Sequence, residues 1–591
     1  MNNPVNTIST GASAGHARLE EALRLCDAET RRRPRFAPAW TNRARALRAL
    51  WRLDEALRSC ERAVELQPDD PEAHLVRGNI LMELDRAEDA LLSYGHAALL
   101  KPDLAEAHFN RANAAARLGR QQDALEGYDR TLVLKPGFAE AHHARANALE
   151  KLGRLSEALD GFSRAAALKP ALAEAHNNKG NVLCRLGRHA EAVESYTRAV
   201  RARPGYALAW NNLGSALRHL GRLEEALESC DRAIALAPAI AAAHYNRGNV
   251  LKALERLPES IESYDRAIAL APEFADAHKN RATTTLLMGD FERGWERYER
   301  RNARVSIPPN SGSIWTGEEN LDGKSLLIWA EQGFGDTFQF CRYASLLADR
   351  GGRVTLAVQD PLVAILKCLE PAVAVTGLGN APAGFDCCIS LMSIPHALRT
   401  CSHNIPAAIP YLRADPDRIR QWRDRIGTHG FKIGICWQGA AGGEVDIGRS
   451  FPVRHFETLT DIPGLRLISL QKNAGVEQLR ELPAGMNVET FGDTLDPGPE
   501  AFVDTAAIME NLDLVITSDT AAAHLAGALG RPAWVALSRV PDWRWLLDRS
   551  DSPWYPTMRL FRQSRSGDWP EVFAAIKASL LESLSTNWTG R

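Results

Sequence analysis

The first half of the chain repeats one pattern of apolar and polar positions with a period of 34 residues. Most units carry two small residues 12 positions apart, with an aromatic ring or a cysteine 4 positions after the second. Small residues let two helices approach closely, and the larger side chain fills the space beside them. The pattern predicts about eight helix pairs over residues 37–301, preceded by a tail and a capping helix in residues 1–36. A proline helps to stop the second helix of each unit, at Pro34, Pro68, Pro102, Pro136, Pro170, Pro204, Pro238 and Pro272.

Asparagines recur on one face of the first helix in each predicted pair, in two columns three residues apart. Because Asn is unfavourable inside a helix, its repetition needs a reason. Amides in a ladder can donate hydrogen bonds to an extended peptide backbone and accept them from it. The alternative is that they cap or solvate turns inside the array. We expect a polypeptide partner on the concave face, bound by Asn79, Asn113, Asn147, Asn181 and Asn249.

A row of histidines shares the period but has a different interpretation. The row occupies the repeat position that Trp40 and Trp210 fill in two other units. We therefore interpret it as a packing position and expect no metal site. The row consists of His74, His108, His142, His176, His244 and His278.

After about residue 302 the period stops, and a linker rich in Pro, Ser and Gly is predicted over residues 302–322. Short β-rich runs then alternate with helical stretches, which indicates parallel, doubly wound sheets. A polar stretch that contains Pro divides this half into an N-terminal lobe, residues 323–415, and a C-terminal lobe with a closing helix, residues 416–591. Two such lobes place a ligand cleft at the carboxyl ends of their strands.

Nine strands and seven helices are predicted in this half. The strands are Ser325–Ala330, Arg353–Val358, Val373–Thr376, Asp386–Ser390, Lys432–Cys436, Leu465–Ser469, Asn487–Thr490, Leu514–Thr517 and Ala533–Ala536. The helices are Asp336–Asp349, Pro361–Leu369, Pro416–Arg425, Val476–Glu481, Ala501–Asn511, Thr520–Leu529 and Pro570–Leu584.

Composition narrows the class of protein. Hydrophobic residues make up 45% of the chain and charged residues 24%, the balance of a folded protein. Lys and Arg (71) nearly cancel Asp and Glu (73), which argues against a nucleic-acid partner. No apolar run approaches the roughly 18 residues that span a bilayer, and the N-terminus lacks the features of a secretory signal. The ten cysteines form no C-x-x-C pair, so we expect reduced thiols and a cytoplasmic protein.

Two strand-to-helix junctions carry candidate chemistry. The first reads WAEQGFGDTFQF, in which glycines permit close backbone approach and Asp336 opens the helix. The second reads LDLVITSDTAAAHLAGALGRP and delivers Asp519 and Thr520 to a helix N-terminus, with His524 one turn on. Free N–H groups and the helix dipole favour a diphosphate there. The alternative is that Asp336 and Asp519 merely cap their helices.

Cations follow two further strands between these junctions. Arg449 and Ser450 lie in the Gly-rich loop of FKIGICWQGAAGGEVDIGRSF, and Lys472 ends the strand in LISLQKN. Arg449 and Lys472 can neutralise a pyrophosphate leaving group. The alternative is that Arg449 and Lys472 are solvated surface residues.

These motifs resemble known families. The first half is similar to the tetratricopeptide repeat family across about 265 residues, and its Asn ladder resembles that of O-linked N-acetylglucosamine transferases, where the ladder holds acceptor polypeptide. From about residue 323 to 585, the pieces GFGDT, GICWQG, GRS, SLQK and SDTAAAHLAGALGRP resemble the heptosyltransferase-type glycosyltransferases. The tail from PDWRW onward is similar to a variant found in repeat-fused bacterial members.

The resemblance implies an all-α tetratricopeptide superhelix followed by an α/β GT-B region of two Rossmann-like lobes. It implies inverting, metal-independent sugar transfer, with a nucleotide-sugar as co-substrate and no bound cofactor. Asp336 is the implied base, and Asp519 and Thr520 are implied donor contacts. We expect Gly335, Arg449, Ser450, Lys472 and His524 to complete the donor site. Ala521 stands where the family often has Gly, and the Gly-rich loop lacks a lysine that some members use, so the donor stays open.

The leading hypothesis is a glycosyltransferase whose repeats hold an acceptor protein. In it, Asp336 takes the proton of the acceptor hydroxyl, and Arg449, Lys472 and the helix start at Thr520 stabilise the departing diphosphate. Two alternatives stay open. One is the same chemistry on a glycan or lipid-linked acceptor, and the other is a non-catalytic repeat scaffold for protein–protein interaction.

Overall fold

The computed structural model describes residues 5–301, 312–439 and 448–587. The chain divides into two compact units, residues 1–238 and 239–591. The first part of the predicted linker (302–311) and most of the Gly-rich loop before Arg449 (440–447) lie outside the described residues. In the part of the chain that the structure describes, no helix is both long enough and apolar enough to cross a bilayer.

The first unit is built from helices. A single helix, α1, precedes six helix pairs, and each pair packs against the next, as the 34-residue period predicts. The helices are α1 (Val5–Arg32), α2 (Ala37–Ala49), α3 (Leu53–Leu66), α4 (Pro71–Glu83), α5 (Ala87–Leu100), α6 (Ala105–Arg117), α7 (Gln121–Leu134), α8 (Ala139–Lys151), α9 (Leu155–Leu168), α10 (Ala173–Arg185), α11 (His189–Ala202), α12 (Ala207–His219) and α13 (Leu223–Leu236).

The small residues of the repeat lie between the two helices of a pair. A Cβ atom on Gly78 would lie 2.5 Å from the ring of Tyr94, and a Cβ atom on Gly180 would lie 2.5 Å from the ring of Tyr196. Both rings are buried. Glycine at these two positions therefore sets how closely the helices approach, which confirms the packing that the sequence pattern predicts.

The second unit begins with two more helix pairs, and the last helix is short. Trp295 of that helix is buried, and its indole N–H donates to the backbone carbonyl of Thr400 at 3.0 Å. The last helix therefore packs against the region that follows it in the chain. The four helices are α14 (Ala241–Ala253), α15 (Leu257–Leu270), α16 (Ala275–Leu287) and α17 (Phe291–Tyr298).

Two sheets follow, and all of their neighbouring strands are parallel. The first sheet has the order β1-β5-β2-β3-β4 and the second has the order β11-β10-β9-β6-β7-β8. The strands are β1 (Ser313–Ile314), β2 (Ser325–Trp329), β3 (Arg353–Val358), β4 (Ala374–Gly377), β5 (Cys387–Ser390), β6 (Phe431–Cys436), β7 (Leu465–Ser469), β8 (Val488–Glu489), β9 (Leu514–Ser518), β10 (Ala533–Leu537) and β11 (Met558–Arg562).

All nine predicted strands are present, each within one residue of its predicted ends. Two of the four edge strands, β1 and β11, are not predicted. β1 has only two residues, both exposed, so it carries no apolar alternation. β11 contains two arginines among three apolar residues at the edge of its sheet, where a partly polar strand is tolerated.

The helices of this region differ more from the prediction. The predicted helix Asp336–Asp349 is two helices that meet at Cys341, because the buried guanidinium of Arg342 takes the carbonyl of Gln339 at 2.7 Å. The predicted helix Val476–Glu481 is a 3₁₀ turn, and Pro361–Leu369 is a short helix between two 3₁₀ turns. The α-helices are α18 (Phe334–Phe340), α19 (Arg342–Ala348), α20 (Val363–Leu366), α21 (Ile394–Ala397), α22 (Pro416–Ile426), α23 (Val503–Glu510), α24 (Ala521–Ala528) and α25 (Trp569–Asn587).

Candidate functional site

The second unit brings together the starts of two helices that follow strands of different sheets. β2 leads through a glycine turn into α18, and β9 leads through Asp519 and Thr520 into α24. α18 packs along α24, and a Cβ atom on Gly335 would lie 2.9 Å from Cδ2 of His524. Gly335 therefore serves the close approach of the two helices. The carboxyl ends of β2 and β9 meet at this point.

Asp336 is held from two sides. Its Oδ2 accepts the backbone N–H of Gly333 at 2.9 Å, which closes the first turn of α18. Its Oδ1 accepts a hydrogen bond from Nη2 of Arg544, with which it also forms an ion pair. Asp336 therefore takes part in capping α18. A carboxylate has about four lone-pair sites, so one further donor can still be accepted.

Arg544 is the centre of this cluster, and the sequence analysis did not identify it. Its Nη1 donates to Oδ1 of Asp542 at 2.7 Å and its Nε donates to Oε1 of Gln339 at 2.6 Å. Burial alone would lower the pKa of the guanidinium. Asp542 and Asp336 outweigh burial and raise that pKa above its usual range. Arg544 thus stays charged and holds Asp336 beside a fixed cation.

Arg449 joins the loop after β6 to the start of α24. Its Nε donates to the backbone carbonyl of Asp519 at 3.0 Å and lies 3.8 Å from Oδ2 of the same residue. Burial raises the pKa of the Asp519 carboxyl, and the charge of Arg449 opposes that shift. The hydroxyl of Ser450 accepts the backbone N–H of Gly439 at 3.3 Å. Arg449, Asp519 and Thr520 are therefore neighbours, and Ser450 directly follows Arg449 in the chain.

Thr520 and His524 are buried within this cluster. Thr520 precedes the first turn of α24, and its hydroxyl lies 3.1 Å from that of Thr517. The ring of His524 stacks on Trp545, and its Nδ1 lies 3.1 Å from the hydroxyl of Tyr555. Burial lowers the pKa of His524 well below its usual range, so the ring is neutral. His524 packs the helix start and carries no charge to a ligand.

Lys472 has its contacts elsewhere. Its ammonium donates to the backbone carbonyl of Asp496, which lies between β8 and α23. No described contact joins Lys472 to Arg449, Asp519 or Asp336. Its predicted part in stabilising a leaving group therefore gains no support from the geometry.

The Asn column is bonded inside the array through its carbonyl oxygens. Oδ1 of Asn79 accepts the hydroxyl of Tyr94 at 2.8 Å and Nδ2 of Asn110 at 3.0 Å. Both bonds recur at Asn181, with Tyr196 and Asn212, and at Asn249, with Tyr264 and Asn280. Asn113 keeps only the bond to Tyr128 inside its repeat, and Asn147 keeps only the bond to Asn178 of the next repeat.

The amide nitrogens of the column differ from its oxygens. Among the described residues, Nδ2 of Asn79, Asn113, Asn147 and Asn181 has no hydrogen-bond partner and is not buried. Nδ2 of Asn249 has none either, but it is buried. Each of these four oxygens uses at least one of its two acceptor sites within the array, and those of Asn79 and Asn181 use both, whereas the four amide nitrogens stay available as donors.

The histidine row bonds to the prolines that end the repeats. Nε2 of His74 lies 2.9 Å from the carbonyl of Pro68, and His108, His142, His176 and His278 make the same contact at 2.8–3.0 Å. The indole N–H of Trp40 reaches the carbonyl of Pro34 at 3.0 Å. The position therefore selects a ring with an N–H donor. Within the described residues, no group of three or more His, Cys, Asp or Glu side chains is placed to hold a metal ion.

One signal in the sequence pointed to Arg544. The run PDWRW places Arg544 between two tryptophans, with Asp542 directly before the first of them. Charged residues among large apolar ones are buried, and buried charges are paired. The run therefore indicates an ion pair, although its partner 208 positions away is not visible in sequence.

Comparison with known families identifies the first half of the chain. Sequence models of the tetratricopeptide repeat family match residues 37–70, 75–139, 109–173, 143–207, 177–241 and 241–274. This part of the chain is a tetratricopeptide repeat array. The array continues through the helix pair of α16 and α17, which has the same arrangement.

One curated relative is Protein FlbA of Caulobacter vibrioides, which is 27% identical over 326 residues. The match covers 50% of this chain and 53% of the relative, so the chain spans about half the length of FlbA. Among solved structures, YrrB, described as a TPR protein with an unusual peptide-binding site, is 25% identical, with 31% of this chain and 95% of YrrB covered and a TM-score of 0.28. PilF of Pseudomonas aeruginosa is 18% identical, with 36% and 96% covered and a TM-score of 0.33. At these TM-scores neither structure carries a functional argument.

Proposed function

We propose that the chain is a glycosyltransferase that moves a sugar from a nucleotide-sugar to a polypeptide held by the repeats. The observation that carries the proposal is the convergence of charges at the carboxyl ends of two parallel sheets. A carboxylate from the first sheet, Asp336, and a cation and helix start from the second, Arg449 and Thr520, belong to one cluster. Open parallel sheets bind ligands at this edge.

The proposed chemistry assigns one task to each charged group. Asp336 accepts the proton of the acceptor hydroxyl as the hydroxyl oxygen bonds to the anomeric carbon, and Arg544 holds the carboxylate in place. The bond from the anomeric carbon to the diphosphate breaks in the same step. Arg449 and the free N–H groups at the start of α24 stabilise the diphosphate that departs. The resemblance to heptosyltransferase-type enzymes supports an inverting, metal-independent reaction on a GT-B fold.

Donor binding is tested by thermal unfolding against UDP, GDP, ADP, CMP and dTDP. A ligand at about 100 times its dissociation constant stabilises by about 2.7 kcal/mol, enough to raise the melting temperature measurably. Arg449→Met should abolish the shift. Lys472→Met is the matched control, because it removes a cation outside the cluster. The absence of a shift in the wild-type protein with every nucleotide would contradict the proposal.

Acceptor binding is proposed to use the four outward amides of the first unit. The triple variant Asn113→Asp, Asn147→Asp and Asn181→Asp keeps every internal acceptor oxygen and removes three outward donors. It should weaken the binding of acceptor polypeptide. Tyr128→Phe is the matched control, since it breaks an internal bond and keeps the outward donor. Equal loss in both variants would mean that the column is only structural.

A non-catalytic scaffold is the second candidate, and one observation favours it. Both oxygens of Asp336 are already bonded, to Gly333 and to Arg544, in an arrangement that also suits a purely structural turn. The repeats would then be the functional half, as a protein-interaction scaffold. The nucleotide panel separates the two candidates, because the scaffold predicts no shift at all.

A further inference from the structure

The last repeat holds the turn that carries Asp336. Tyr298 ends α17, and its hydroxyl accepts Nε2 of Gln332 at 2.7 Å. Arg301, three residues further on, forms an ion pair with Glu331. Glu331 and Gln332 directly precede Gly333, whose N–H fixes Asp336. Two residues at the end of the array thus grip two consecutive residues at the base of the turn.

These contacts are buried, and the guanidinium of Arg301 has several partners. The side chains of Arg301 and Glu331 are each 5% exposed. Nη2 of Arg301 also donates to the hydroxyls of Ser390 and Ser393 at 3.2 and 3.0 Å. Its guanidinium lies 4.7 Å from the centre of the Tyr298 ring. A buried charge with this many partners fixes the geometry of what it touches, because every alternative position leaves a charge unpaired.

A second set of hydrogen bonds joins the same turn to α18. The carbonyl of Gln332 accepts Nε2 of Gln359 at 2.5 Å, and Oε1 of Gln359 accepts the hydroxyl of Thr337 at 2.9 Å. Thr337 follows Asp336 in the first turn of α18. The turn is therefore bonded on both of its sides.

We infer that Tyr298 and Arg301 are positioning residues for Asp336, so that the last repeat is a working part of the proposed catalytic site as well as the end of the array. The consequence for catalysis rests on the proposed function, but the positioning itself does not. Tyr298 and Arg301 reach Asp336 through Glu331, Gln332 and the backbone of Gly333. Without these contacts the carboxylate is held less firmly relative to Arg544.

The positioning is tested by hydrogen exchange of the full chain with Tyr298→Phe. This change removes one acceptor and keeps the ring. Loss of one hydrogen bond should speed amide exchange in residues 333–337 roughly fivefold. Tyr264→Phe is the matched control, because the hydroxyl of Tyr264 donates to Asn249 in the preceding repeat and does not touch the turn. Unchanged exchange at the turn, or equal acceleration in both variants, would overturn the inference.

Arg301→Lys is a second variant, which keeps the positive charge but removes the guanidinium group that bonds to Ser390 and Ser393. It should also speed exchange at residues 333–337. In transfer assays, both Tyr298→Phe and Arg301→Lys should lower kcat roughly fivefold or more and leave the KM for the nucleotide-sugar unchanged. Equal changes in kcat and KM would overturn the positioning role. If the wild-type protein transfers no sugar, the proposed function fails, and hydrogen exchange still decides the inference.

Discussion

The repeat array and the sheet-containing region use polar side chains over very different distances along the chain. In the array, Asn79 bonds to residues 15 and 31 positions away, and the same two offsets recur at Asn181 and Asn249. In the second region, Asp336 bonds to Arg544 across 208 positions and Arg449 bonds to Asp519 across 70. The array repeats short-range polar contacts at fixed offsets, whereas the second region has long-range polar contacts that do not recur.

This difference decides what a substitution removes. A polar contact in the array has equivalents in neighbouring repeats, so its loss leaves most of the network in place. Arg544 has no equivalent, and it connects two carboxylates and an amide at once. A single substitution at Arg544 should therefore lower the free energy of unfolding more than a single substitution of a polar residue in the array.

The largest effect is expected for Arg544→Met. The change leaves Asp336 and Asp542 without their cation, and removing one partner of a buried ion pair costs about 3 kcal/mol of unfolding free energy. Denaturant unfolding of the second unit measures this cost. Arg549→Met is the control, because its pair with the 68% exposed Asp551 should be worth less than about 1 kcal/mol. Equal costs would refute the special role of Arg544.

Close packing in the array gives the next effect. Gly78→Ala forces a Cβ atom into the ring of Tyr94 and should lower the free energy of unfolding by about 2 kcal/mol. Gly95 lies in the next helix, α5, with nothing within 4 Å of its added Cβ atom. Gly95→Ala should therefore raise the free energy of unfolding by about 0.5–1 kcal/mol. If both changes have the same sign, the packing interpretation is wrong.

The repeated offset itself can be tested at the repeat that lacks it. Phe162 stands where four other repeats have a tyrosine, and Asn147 in the same repeat lacks the hydroxyl contact that Asn79 receives. Phe162→Tyr should add that bond and raise the free energy of unfolding by about 1 kcal/mol, and Tyr94→Phe should lower it by a similar amount. Thermal unfolding of both variants measures the pair. A destabilised Phe162→Tyr protein would show that the repeats are less equivalent than their period indicates.

The smallest expected effect is on the pH dependence of the first unit. Burial, with help from Arg218, lowers the pKa of His219 to about 4, and the ring stacks on His189 at 4.4 Å. An unfolded histidine has a pKa near 6.5, so between pH 6.5 and 4 the unfolded chain binds a proton that the folded chain does not. Stability should thus fall as pH falls through this window, by less than about 1 kcal/mol for a partly exposed ring. His219→Gln should flatten this slope, and an unchanged slope would contradict the assignment.

The sequence predicts the elements well and the site only in part. The helix pairs and nine strands follow from period and alternation, which are local properties. The break at Cys341 does not follow from them, because the guanidinium of Arg342 that takes the carbonyl of Gln339 is also held by carbonyls remote in sequence, at Pro406 and Trp554. Arg449 and Asp519 are expected in one donor site because each follows a strand, and the ligand cleft of parallel sheets lies at the carboxyl ends of their strands. Arg544 was missed because it lies on no strand end and has no repeat.

The most direct test of the account is transfer itself, with the nucleotide-sugar that corresponds to the nucleotide found in the panel. The wild-type protein and Asp336→Asn are incubated with it and a polypeptide acceptor, and the mass of the intact acceptor is measured. The account predicts that the mass of one or more sugar residues is added by the wild-type protein, and that the rate falls at least about 100-fold in a folded Asp336→Asn variant. Full turnover by that variant would contradict the assignment of Asp336 as the base. No added mass from the wild-type protein would contradict the proposed function.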